Sequence, residues 1–151
     1  ARAAYSRLQK AADPLTPKNF LELTGEELRQ IGFSRQKARY GRELANAILD
    51  GSLDLSKLGQ MEDQAAREQL MNVKGIGPWT ADIYLLMALG RPDIWPKGDL
   101  ALEVAIQKVK GLSRRPTPEE AGRISAEWRP WRAVAARLLW HFYLSESKRN
   151  A

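Results

Sequence analysis

Apolar positions along this chain recur at three- and four-residue spacing, and each run is closed by residues that do not continue a helix. Leu8 and the alanines around it predict a helix ending before Asp13-Pro14, and Thr16-Pro17 opens a short second one. Thr24-Gly25-Glu26-Glu27 has the capping-box spacing for a third helix, ending at Gly32. Ser34 caps a longer helix to about Leu49, closed by Asp50-Gly51. Leu55 to Leu58 predict a single turn, and Glu62 to Asn72 a helix that runs into a tight turn. Helices from Pro78 to Leu89 and from Asp99 to Lys110 follow. Thr117-Pro118-Glu119-Glu120 is a second capping box, and Pro130 is expected to start the last helix. No run of four or more residues alternates as a strand would, so the expected fold is all-α.

Composition narrows the class without naming a function. A chain of 151 residues with 44% hydrophobic residues suits one globular helical domain over residues 1–151. No apolar stretch approaches the length of a membrane span. The absence of cysteine excludes disulfides, thiolate metal sites and a cysteine-held iron–sulfur cluster. The net charge of +6 is unevenly placed: nine basic and six acidic residues in 1–50, five and seven in 51–100, ten and five in 101–151. Basic flanks suit a nucleic-acid partner, though charge alone does not separate a binding face from a solvated one.

The slightly acidic middle holds the candidate chemistry. Gly75-Ile76-Gly77 forms a tight turn whose two glycines can take positive φ and allow another molecule close to the backbone. Pro78 fits the first position of the next helix, leaving exposed amides that suit a phosphate. The local acidity argues for backbone amides as the main grip there. About twenty residues on, Asp99 precedes Leu100, Leu102, Ile106 and Val109 and reads as an N-cap. Read by spacing alone, Asp99 is only a cap, and Trp79 and Trp140 are core aromatics. Lys97 is a solvated loop cation, His141 a core or rim residue, and Thr80 packs or back-bonds to its helix.

Taken together these blocks resemble the helix-hairpin-helix (HhH-GPD) DNA glycosylases, in the alkylbase (3-methyladenine) branch. The family's L-x-x-x-x-G-I-G-x-W-T-A hairpin is matched by Leu70, Gly75, Ile76, Gly77, Trp79, Thr80 and Ala81. Its P-x-G-D-L segment is matched by Pro96, Gly98, Asp99 and Leu100. Trp128-Arg129-Pro130-Trp131-Arg132-Ala133-Val134-Ala135, running to Trp140, is similar to the family's W-x-P-W-R-S-x-A segment. Gly32-Phe33-Ser34-Arg35-Gln36-Lys37-Ala38 extends the likeness to roughly residues 1 to 145.

The resemblance implies the helix-hairpin-helix glycosylase fold, lacking its N-terminal helices. Relatives usually carry a further helical stretch upstream of the point where Ala1-Arg2-Ala3-Ala4-Tyr5 begin. That missing part of the domain is therefore implied as a partner. An exposed apolar surface is expected where it would pack, on the helix bearing Leu138, Leu139, Phe142, Tyr143 and Leu144. The implied activity is monofunctional excision of alkylated purines from double-stranded DNA containing damaged bases. Such an enzyme works in the bacterial cytoplasm at the nucleoid, or otherwise in the nucleus.

By the same resemblance Asp99 is catalytic, and Trp79 and Trp140 wall the base pocket. Lys74, Gly75, Ile76, Gly77 and Thr80 bind DNA phosphate. No cofactor is implied, and no metal beyond a monovalent cation on the hairpin carbonyls. Bifunctional relatives have a lysine nucleophile two positions after the second hairpin glycine. That place is Trp79, which cannot form a Schiff base, so no lyase step is expected. Where the branch often has an aromatic one turn after Trp79, this chain has Ile83, and with Leu100 it suggests a more aliphatic pocket. Two alternatives stand beside this reading: a non-catalytic helix-hairpin-helix phosphate clamp, and a glycosylase for oxidised or mismatched bases. The clamp requires neither Asp99 at this distance nor the W-x-P-W-R segment.

Overall fold

The computed structural model describes residues 2–149. Ala1 and the last two residues, which the expected domain over 1–151 includes, lie outside the described residues. The described residues form helices, turns and loops and contain no strand, as the apolar spacing predicts. None of their helices is long and apolar enough to cross a membrane. The chain divides into two compact units, Ala1–Ile76 and Gly77–Ala151, so the polypeptide passes from one to the other inside the Gly-x-Gly turn.

The first unit contains α1 (Arg2–Ala11), α2 (Pro17–Glu22), α3 (Gly25–Ile31), α4 (Arg35–Leu49), α5 (Leu55–Leu58) and α6 (Asp63–Met71). Their starts are chemically marked. Thr16, Thr24 and Ser34 each accept a backbone N–H of the first turn, and Thr24 with Glu27 closes the full capping box. Leu8, Ala12, Phe20, Leu23, Leu28, Ile31 and Ala45 bury a common core, with Phe33 and Ala38 against it. Gly41 on α4 lets Phe20 in: a Cβ there would stand 2.6 Å from the ring's Cζ. Two arginines close helix C-termini. Arg7 donates to the Ile31 carbonyl at 2.9 and 2.7 Å, and Arg42 donates to the carbonyls of Leu21 and Leu23.

The second unit contains α7 (Pro78–Met87), α8 (Leu100–Lys110), α9 (Pro118–Ser125), a single 3-10 turn (Ala126–Trp128) and α10 (Arg132–Arg149). Here α8 packs on α10, and Leu85, Leu86, Leu102, Ala105, Ile106, Ala136 and Leu139 are buried. Trp95 and Trp128 meet at 5.7 Å between ring centroids, in a tilted pair. Arg137 caps α7 by donating to the Leu86 carbonyl at 3.1 Å.

One boundary differs from expectation. Pro130 does not begin the last helix, which starts at Arg132. The reason is a long-range cap: Asp93 Oδ1 accepts the Arg132 N–H, and the Pro92 carbonyl accepts that of Ala133 at 2.9 Å. The Arg132 side chain returns the contact as a fork, with Nε 2.7 Å from Asp93 Oδ1 and Nη2 3.0 Å from Oδ2. Of the apolar side chains expected to crowd α10, Leu138 and Leu144 are exposed, Phe142 and Tyr143 are half-buried, and Leu139 is buried.

Candidate active site

The site is assembled from α7, α8 and α10, all within the second unit. Before α8 the chain makes a reverse turn at Pro96-Lys97-Gly98-Asp99, with Gly98 at φ 79°. The turn delivers Asp99 to the N-cap in an extended conformation, and its Oδ1 accepts the Leu102 N–H at 3.0 Å. Capping thus fixes the carboxylate's direction without consuming its acceptor capacity.

Two indoles take up part of the remainder. Trp79, in the first turn of α7, donates its Nε1–H to Asp99 Oδ2 at 2.9 Å. Trp140, on α10, donates its Nε1–H to Oδ1 at 3.2 Å. All three partners can only donate, so the carboxylate accepts on both oxygens. Asp99 is 9% exposed, whereas Trp79 is 47% exposed, so the carboxylate lies under a partly open aromatic lip. A cavity of about 370 Å³ opens at this point, lined by Trp79, Gly98, Asp99, Leu100, Ala101 and Tyr143. Its size lies at the lower end of the range for small-ligand pockets.

The other candidates fall as follows. Trp140 is half-buried and contacts Asp99 but is not among the cavity-lining residues. Lys97 pairs with Glu119 at 3.0 Å, both exposed, and His141 is exposed on α10. Ile83 is half-buried on α7. Tyr143 is the residue that sequence reading placed only on an apolar face. Its spacing of three from Trp140 on one helix was the available signal. Glu103, one turn beyond Asp99 on α8, is buried outside the cavity; Arg115 Nε lies 3.5 Å from its Oε2, and Oε1 has no hydrogen-bond partner.

The hairpin residues behave unequally. Gly75 has φ 101°, and a Cβ there would lie 2.2 Å from Tyr40 Cγ, so both backbone and packing demand glycine. Gly77 does not share the expected positive φ. It is extended at φ −93° as the N-cap of α7, and nothing lies within 4 Å of a Cβ built on it. No side chain caps this helix, and Trp79 and Thr80 are both exposed. Their amides, at positions where a helix leaves its donors unpaired, remain for an outside acceptor. Lys74 is exposed, and Ile76 donates its N–H to the Val73 carbonyl at 3.0 Å. No group of three or more His, Asp or Glu side chains among the described residues could hold a metal ion.

Comparison with known proteins gives the family and the fold. The model of the HhH-GPD superfamily of base excision DNA repair proteins matches residues 1–130. A DNA-3-methyladenine glycosylase of Bacillus subtilis is 33% identical over 118 residues, which are 78% of this chain and 39% of that protein. An alkylbase DNA glycosidase-like protein of Schizosaccharomyces pombe is 33% identical over 126 residues, 83% of this chain and 59% of that protein. The chain thus spans less than two thirds of the length of these curated relatives. Among solved structures, the 3-methyladenine DNA glycosylase of S. pombe in complex with abasic DNA superposes with a TM-score of 0.87 at 27% identity. That match covers 91% of this chain and 69% of the solved one.

Proposed function

The chain belongs to the HhH-GPD superfamily of base excision DNA repair proteins, and from that premise we propose that it excises N-alkylated purines of the 3-methyladenine type from duplex DNA. The observation that carries the reading is the Asp99 carboxylate: held by a backbone N–H and two indole N–H groups, and open on a cavity walled by Trp79 and Tyr143. A duplex hides its bases, so the target nucleotide is extruded into such a pocket, which favours lesions that already weaken pairing or stacking.

In the proposed reaction Asp99 faces the sugar of the flipped nucleotide. As the C1′–N bond breaks, the sugar gains oxocarbenium character, and the carboxylate stabilises that charge and orients the attacking water. An N-alkylated base is already cationic and departs neutral, so one carboxylate suffices and no general acid is required. The exposed face of Trp79 attracts a cationic base by about 0.5–2 kcal/mol. Trp79 offers no amine for a Schiff base, so the reaction ends at base release.

The hairpin residues Lys74, Gly75, Ile76, Gly77 and Thr80 hold the DNA backbone in this reading. The open space at Gly77 and the uncapped start of α7 support that role. A cation there would rest on neutral carbonyls, a donor set that suits a monovalent ion; Val73 O is already engaged by Ile76 N–H. No step depends on it.

The test is release of free base from duplex DNA carrying 3-methyladenine, followed by chromatography. The expected result is 3-methyladenine in solution with the strand left uncut. Release only of oxidised or mismatched bases would replace the substrate class. Duplex binding without release of any base would leave a phosphate clamp and overturn the proposal.

A further inference from the structure

The arginines of this chain divide by what they touch. Arg7, Arg42 and Arg137 donate to carbonyls at helix C-termini, and Arg132 to Asp93. Their charge is committed to the fold. Arg39 on α4 and Lys74 before the hairpin turn are both exposed, and neither forms an ion pair with a described carboxylate. Glu43 and Asp50 line a cavity with Lys74 but do not pair with it, and Asp50 is occupied by the Ser52 N–H.

Arg39 lies over an aromatic ring that also packs on Gly75, the residue next to Lys74. The Arg39 guanidinium lies 5.3 Å from the Tyr40 ring centroid. The same ring covers the hairpin: its Cγ is 2.2 Å from where a Cβ on Gly75 would be. Gln36 Nε2 donates to the Tyr40 hydroxyl at 3.2 Å and braces the ring. That hydroxyl is held below the ordinary phenol range, first by hydrogen bonds from Gln36 and Arg39 and then by the charges of Arg39 and Lys74. Positive field from two separate segments therefore meets beside Gly75. The first turn of α4 has no acidic residue and carries Arg35 and Lys37, so no nearby acid of that turn offsets the field.

We infer that Arg39, stacked on the Tyr40 ring that braces Gly75, joins the already proposed Lys74 in a side-chain grip for a phosphodiester of the DNA backbone. The grip adds to the amide contacts of the hairpin and rests on the DNA-binding reading above. Arg39 supplies a forked donor for two phosphate oxygens and Lys74 a point charge. The contact is to phosphate, so it strengthens binding equally across sequences.

The test is fluorescence anisotropy of the full chain with a short undamaged duplex, across a series of salt concentrations. Arg39→Gln and Lys74→Gln should each weaken binding several-fold at low salt. Each should also lower the slope of log affinity against log salt by about one. Lys57→Gln, which removes an exposed cation already paired with Asp54, should leave the slope unchanged. Melting temperatures of all three variants should match the parent, since no removed group caps a helix or fills the core. A parent that binds duplex while Arg39→Gln keeps its slope overturns this inference whatever Lys74→Gln shows, and leaves the hairpin reading to be decided by Lys74→Gln and by the Gly77 contact. An equal loss of slope in Lys57→Gln overturns the assignment to this location. A parent that binds no duplex at any salt overturns both readings together.

Discussion

Trp79 Nε1 donates to Asp99 Oδ2 across 2.9 Å, tying the first turn of α7 to the N-cap of α8. Trp140 makes the matching bond to the other oxygen from α10. Three helices thus meet on one carboxylate. The two tryptophans that family resemblance casts as pocket walls are also hydrogen-bond donors. One of them, Trp79, lines the cavity as well. On the proposed mechanism the indole would serve in two ways: its face would meet a cationic base, and its N–H, bonded to Asp99 Oδ2, would set the angle of the group proposed to face the sugar.

This double duty predicts a separation between binding and rate. Trp79→Phe keeps an aromatic face but removes the donor to Oδ2, which has no other donor among the described contacts. Duplex affinity and KM should stay near the parent values, while kcat falls about tenfold, the cost of one hydrogen bond to a charged group. Trp140→Phe should lower kcat less, because its bond is longer at 3.2 Å and Leu102 N–H still holds Oδ1. Single-turnover base release beside anisotropy measures both quantities. If KM rises and kcat holds, the indoles act as walls alone.

The two hairpin glycines should fail differently. Gly75→Ala forces a Cβ into Tyr40 at φ 101° and should cost at least about 2 kcal/mol of stability. Gly77→Val meets no neighbour and sits at an extended φ of −93° that valine tolerates, so its folding cost should stay within about 1 kcal/mol. Yet it places a branched side chain where the DNA backbone is proposed to approach. Chemical denaturation should show Gly75→Ala impaired and Gly77→Val close to the parent, with duplex binding lost uniformly in the latter. A Gly77→Val variant that binds undamaged duplex normally removes the hairpin from the interface.

The contrast between those glycines shows how far the sequence could be read. Capping boxes at Thr24 and Thr117 and the caps at Ser34 and Asp99 are local, since donor and acceptor lie within three residues, and spacing alone reveals them. Helix starts were legible wherever the cap was local. The start of α10 was not, because its acceptors are Asp93 Oδ1 and the Pro92 carbonyl, some forty residues earlier in the chain. The same limit hid the indole bonds to Asp99 and the Tyr40 ring over Gly75. The hairpin motif suggested two glycines of positive φ, whereas one has it and the other is needed, on the reading proposed here, by what approaches from outside.

Arg132 and Asp93 supply a pH-dependent lock. The forked bond to Arg132 holds the Asp93 carboxyl below its usual range, aided by the Arg132 backbone N–H and by the charges of Arg132 and Arg129. A carboxyl lowered in the folded state stabilises it above the unfolded pKa, about 4, and that share is lost as pH falls below it. Arg132→Lys keeps the charge but loses the fork and the bond to the Asp93 carbonyl. It should lower stability near neutral pH by about 1–2 kcal/mol and shrink the drop in Tm between pH about 6 and about 3. Thermal melts across that range measure it; parallel Tm curves for parent and variant would show that the pair contributes nothing to acid sensitivity.

Asp99→Asn is the decisive substitution, and the geometry makes its outcome more specific than a simple loss of charge. Asparagine is as good an N-cap as aspartate, so the bond from Leu102 N–H persists with the amide oxygen in the place of Oδ1. Trp140 can share that oxygen. The amide nitrogen then stands where Oδ2 stood, and it faces the Trp79 N–H, donor against donor. The variant should therefore lose about 1 kcal/mol of stability and remain fully folded. The substitution leaves the residues proposed to hold phosphate unchanged, so duplex affinity should hold. The charge that Asp99 is proposed to offset develops only as the glycosidic bond breaks, so its removal should fall on rate, lowering base release about 10²-fold or more. Rate and affinity measured together on a 3-methyladenine duplex separate the two roles of this residue. A folded Asp99→Asn protein that keeps most of the parent's excision rate would reduce Asp99 to a helix cap and remove the carboxylate from the proposed mechanism.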